Sequence, residues 1–117
     1  HHGDIPALAW RIEIAGQSIV ITGSFNNSKN LVASFAKDAD ALVVSHAIPE
    51  NSRGVLRDLY ARPSQLGRVA DQADARMMIL GHRSVRTRGR ESLSRNAIEE
   101  SYNGTILFAN DGECWGL

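Results

Sequence analysis

Apolar residues recur along this chain in two rhythms, a period of two and a period near 3.6, and the switches between them predict the elements. From Ala7 to Ile14 the pattern alternates imperfectly, with Leu8, Trp10, Ile12 and Ile14 on one side, as in a strand with one buried face. Ala15-Gly16-Gln17 is a short turn, so the next run, Ser18 to Thr22, is expected to return antiparallel as a hairpin. That run is β-branched and ends at Gly23-Ser24. Asn26, Asn27 and Ser28 then supply turn and cap chemistry, and Leu31, Val32, Phe35 and Ala36 repeat at helical spacing up to Lys37-Asp38. Ala41 to Ser45 reads as a buried strand, parallel to its predecessor because a helix joins them. Val55, Leu56, Leu59 and Tyr60 predict a short helix. Pro63-Ser64 opens another, striped by Leu66, Val69, Ala70 and Ala73. Ala75 to Leu80 is a third buried strand, ending at Gly81-His82. Glu91 to Tyr102 reads as a helix closed by Asn103-Gly104, and Thr105 to Ala109 as a last strand. Asp111 to Trp115 is expected to add an edge piece.

The order β-β-α-β-α-α-β-α-β describes a single α/β domain over residues 1–117, a mixed sheet with helices on one face. The strands are apolar on both sides, so the other face needs a cover: a further segment, or a second copy of the chain. No internal repeat, low-complexity tract or linker interrupts the pattern.

Charge narrows the partners. Thirteen basic and thirteen acidic residues leave a formal net charge of zero, so no global field draws the chain to nucleic acid or to an anionic membrane. Locally the balance fails, because Arg83, Arg86, Arg88, Arg90 and Arg95 crowd into one segment. The single cysteine, Cys114, excludes an internal disulfide and a cysteine-based zinc site, and fits a reducing, cytoplasmic setting. There is no apolar run long enough to span a bilayer and no signal-like start.

Candidate chemistry falls at strand ends, where α/β folds place their sites. Ser24 follows one strand, His46 the next and His82 the one beyond; His2 precedes the hairpin. His1-His2 also reads as the scar of an affinity tag. Neutral imidazole is a common zinc ligand, and imidazoles on neighbouring strand ends converge. Each histidine taken alone is more often a loop or capping residue than a ligand.

With these motifs in order, from His2-Gly3 and Pro6 to Ile12, through Ser18 to Gly23, Asn30 to Val44 and Met77 to His82, to Ile106 to Asp111, the chain resembles the C-terminal half of a metallo-β-lactamase-fold hydrolase of the ribonuclease Z-like branch. The resemblance implies half of a four-layer αββα sandwich and a centre of two metal ions, usually zinc, lying between two sheets. It implies that His2 and His82 are ligands, that Ser24 stands at the position of the metal-bridging aspartate, and that His46 is a proton donor to the leaving group. It also implies a partner, either the N-terminal half of the same fold or a second copy, and hydrolysis by metal-activated water of a small anionic or ester substrate. Arg83, Arg86, Arg88 and Arg90 would rim that site, on a phosphodiester for example or simply as a solvated basic loop.

Two departures qualify what is implied. No His-x-His-x-Asp-His cluster occurs in these residues, and a neutral serine hydroxyl replaces a carboxylate poorly between two dications. A fragment, an activity-altering Ser24 substitution and a non-catalytic relative all fit. Thr22 to Asn26 also resembles the Gly-Ser-x-Asn piece of phospholipase D-type nucleases, but the histidine nucleophile and lysine of that family are missing from the preceding strand. A third expectation needs no chemistry: an interaction module that associates through its uncovered sheet face.

Overall fold

The computed structural model describes residues 1–117. Its sheet has five strands in the order of the sequence: β1 (Trp10–Ile14), β2 (Gln17–Ile21), β3 (Ala41–Ser45), β4 (Met77–Gly81) and β5 (Thr105–Phe108). β1 and β2 form the expected antiparallel hairpin, with Trp10 opposite Ile21 and Ile14 opposite Gln17. β2 to β5 run parallel, joined by α1 (Val32–Phe35), by α2 (Val55–Leu59) with α3 (Pro63–Ala73), and by α4 (Glu91–Glu99).

Alternation along the strands separates two faces. Val20, Leu42, Val44, Met78, Leu80 and Ile106 point into one core shared with the helices. α3 packs on both α1 and α4, so the helices form a single layer. The α3–α4 contact depends on Gly67, where a Cβ would lie 2.8 Å from the Ile98 carbonyl oxygen. Tyr102 locks the same layer from below: its buried hydroxyl donates 2.7 Å to the Ala75 carbonyl, and burial pushes its pKa up to about 12.

The alternate residues form the second face. By register, Trp10 and Ile21, Ile12 and Ile19, Val43 and Ile79, and Ile79 and Leu107 are neighbours there. No helix covers this face, and Trp10 and Ile12 remain 65% and 39% exposed. This is half of a sandwich, with helices on one side and, on the other, an apolar sheet face that no helix covers, exposed at the hairpin though Ile79 near its centre is 8% exposed and Gln17 donates to the Leu117 carbonyl.

Several boundaries move from expectation. β1 starts at Trp10, not Ala7, and Leu8 is 77% exposed. α1 is a single turn ending at Phe35 rather than near Lys37. Arg11 ties it to the hairpin by donating to the Phe35 and Lys37 carbonyls at 3.1 and 2.9 Å. β4 runs one residue further, to Gly81, and α4 stops at Glu99. Asp111 to Trp115 forms no strand; Glu113 instead closes a turn on Asn110, and no neighbouring strand lies in register to pair with it.

Candidate metal-site rim

Ser24, His46 and His82 follow the ends of β2, β3 and β4, at the one edge of the sheet where the parallel strands end. Ser24 is half-buried just past β2, and its Oγ is 3.4 Å from Oγ of Ser45, the last residue of β3. Ser45 is the register partner of Gly81, and His82 follows. The N-terminal segment folds onto the same edge. Asn26 N–H donates 2.8 Å to the His1 carbonyl, and Gly3 N–H donates 2.8 Å to the Asp58 carbonyl at the end of α2. The rim therefore runs from His2 past Ser24 and Ser45 to His82.

The three histidines differ sharply in environment. His2 donates from Nδ1 to the Leu59 carbonyl at 2.8 Å, and its ring meets Tyr60 edge-on at 4.9 Å. A carbonyl only accepts, so Nδ1 carries a proton, and Nε2 is the ring nitrogen not committed to this bond. This is how proteins orient and polarise a ligand imidazole. His82 is exposed on a left-handed backbone, φ +49, beside Arg83, Arg88 and Asn110 in a shallow depression.

His46 turns the other way. Strand alternation sends Ser45 to the rim and the next side chain into the helix layer. The ring is 1% exposed, with Nε2 2.7 Å from Ser94 Oγ of α4 and Phe108 5.5 Å away. Nδ1 is buried without a partner. Burial, reinforced by Arg83 and opposed by Glu91, lowers the pKa to about 4, so the imidazole is neutral at pH 7. The proton donor expected from the sequence is thus a neutral imidazole at pH 7, not an imidazolium, and its ring has no opening to the rim.

The arginines divide in the same way. Arg83 is consumed by the fold: it pairs with Glu91 at 2.9 Å, donates to the Ala109 carbonyl at 2.8 Å, and bonds Asn110. It knits β4, α4 and β5 together under His82. Glu91 is held below the usual carboxylate range by its own backbone N–H at the start of α4, with Arg83 adding to the effect. Arg95 lies over the Phe108 ring and donates to the Ile106 carbonyl. Arg86, Arg88 and Arg90 stay exposed. Sequence reasoning took Ser45 as a strand end only, and missed Arg83 as a structural clamp; nothing in their spacing separates them from their neighbours. It also missed an apolar cleft of about 350 Å³ beside the rim, lined by Leu8, Phe25, Leu31, Val32 and Phe35.

No family model and no curated protein matches the chain. Among solved structures, the metallo-β-lactamase fold protein YhfI from Bacillus subtilis matches with a TM-score of 0.73 over 92% of this chain, at 20% identity. The fold is half of a metallo-β-lactamase sandwich. The chain spans 43% of the length of YhfI, and at this identity the likeness carries architecture alone.

That fold raises the question of zinc. Within this chain no three histidine, cysteine, aspartate or glutamate side chains come close enough to hold a metal ion. Zinc takes about four donors, or three and a water. His2 has the chemistry of a ligand and His82 is free to be one, but Ser24 brings no charge. The donors of this chain alone do not make a zinc site.

Proposed function

We propose that this chain supplies one side of a metal-dependent hydrolytic centre, completed when a complementary segment covers its bare sheet face. The observation that supports this is His2: its Nδ1 proton is committed to Leu59, which leaves Nε2 as the uncommitted ring nitrogen on the rim shared with Ser24 and His82. The apolar sheet face supports the second element of the reading, since such a surface stays in water only at a cost of about 25 cal/mol per Å². The substrate, an ester or a phosphodiester, would meet the complete rim.

Zinc titration of the chain by calorimetry tests this. The unaltered chain takes up zinc substoichiometrically. Ser24→Asp restores a carboxylate and strengthens binding about tenfold or more. Adding His2→Ala or His82→Ala to that variant removes the gain. If Ser24→Asp binds zinc no better, the ligand assignment is wrong.

A second reading is supported by the missing carboxylate and the absence of a three-donor cluster. In it the chain is a non-catalytic module that associates through the sheet face. A metal-free dimer in gel filtration, with no zinc response in Ser24→Asp, is the result it requires.

A further inference from the structure

Charges that sum to zero along the chain do not cancel in space. Asp38, Asp40, Asp71, Asp74, Glu99 and Glu100 gather where the connections enter the parallel strands, countered there by Lys37, Arg76 and Arg95, which pair with Asp38, Asp40 and Glu99. The opposite edge, the strand-end rim, carries Lys29, Arg53, Arg57, Arg86, Arg88 and Arg90. All six are exposed, and none enters an ion pair. The rim's carboxylates that enter no ion pair are Asp4, Asp58, Asp111 and Glu113, fewer than its six free cations. The molecule is an electric dipole with its basic end at the rim.

A second observation concerns the apolar residues among these cations. Three connections leave the rim, and in each a highly exposed aliphatic side chain neighbours the cations: Leu31 near Lys29, Val55 at the start of α2 between Arg53 and Arg57, and Val85 beside Arg86. Their exposures are 65%, 71% and 83%. Single exposed aliphatics are ordinary. Three of them, each seated beside free cations on one edge, form a pattern. The arginine loop is also held firmly in place. Thr87 is fully buried and donates 2.8 Å to the His46 carbonyl, and Ser84 Oγ donates 2.8 Å to the Ala47 carbonyl. Arg86, Arg88 and Arg90 are thereby presented on a braced turn.

We infer that the strand-end rim is a docking surface for an anionic phospholipid bilayer, with the free cations on lipid phosphates and Leu31, Val55 and Val85 entering the interface. Cations spread over three connections do not converge on one small anion. A rim for single-stranded nucleic acid would interleave aromatics on which bases stack, and these connections offer aliphatics instead. The acidic edge is repelled by an anionic surface and turns the molecule rim-down. No helix is long and apolar enough to cross a membrane, so the association is peripheral. The neutrality of the whole chain, which predicts no attraction to such a surface, is overridden by how the fold sorts its charges.

Cosedimentation of the full chain with sucrose-loaded vesicles of phosphatidylcholine, with and without phosphatidylserine, tests this. The chain binds the vesicles that contain phosphatidylserine, and less so as salt rises. Replacing Arg86, Arg88 and Arg90 together by Gln lowers the partition coefficient about 100-fold, from roughly fivefold per cation. Val55→Ser with Val85→Ser lowers it about tenfold. These side chains have no partners in the fold, so both variants keep the melting temperature of the unaltered chain. Absence of binding overturns the inference, as does binding unchanged in either variant. Binding of a single-stranded RNA oligonucleotide in place of vesicles also overturns it.

Discussion

Acid should weaken this fold through one buried ring. His46 is held neutral in the folded chain, with a pKa lowered from 6.5 to about 4 by burial against Ser94 and Phe108. In the unfolded chain it titrates near 6.5. A depressed pKa means the folded state resists a proton that the unfolded state accepts. Stability is therefore intact above pH 6.5 and is lost as pH falls toward 4, below which both states are protonated. Integrating over that window gives a loss of about 2 kcal/mol between pH 7 and pH 5. For a chain of this size, 2 kcal/mol is a fall in melting temperature of about 8 °C. Urea titrations at the two pH values, followed by circular dichroism, measure it. His46→Asn removes the titrating group and is expected to lose far less over the same interval, whatever its absolute stability. The comparison isolates the ring, because every other titratable group is common to the two chains. If the unaltered chain and His46→Asn show the same pH dependence, the ring is not shielded as described, and its assignment to the helix layer fails.

Two further outcomes follow from packing. Tyr102→Phe keeps the ring and deletes the hydrogen bond to Ala75, so it should cost about 1–3 kcal/mol, read as a lower urea midpoint at unchanged slope; an unchanged midpoint would mean that the bond contributes nothing net. Ile12→Lys with Ile14→Lys should leave the melting temperature within a few degrees, since these residues are 39% and 67% exposed, while reducing binding of an apolar dye to the bare face and any self-association through it.

The sequence by itself determined the element order. Period-two and period-3.6 patterns are local, and so are Gly23, Gly81 and the turn chemistry around them. The hairpin, the parallel strands and the helices on one face could therefore be read from spacing, as could the bare face, because Ile19, Ile21, Val43 and Ile79 had no helix left to meet them. The same reading put Ser24 and His82 at strand ends. What it could not fix was direction at a single residue. Ser45 and His46 are neighbours in sequence, yet alternation sends one to the rim and the other into the core, and only the register of β3 against β4 decides which. Nor could it separate Arg83, spent on Glu91 and the end of β5, from Arg86, Arg88 and Arg90, whose side chains enter no hydrogen bond or ion pair. Partnership is a property of distance between residues far apart along the chain. Net charge is the plainest case: a sum is fixed by composition, whereas a dipole exists only once the fold has carried the carboxylates to one edge and the guanidinium groups to the other.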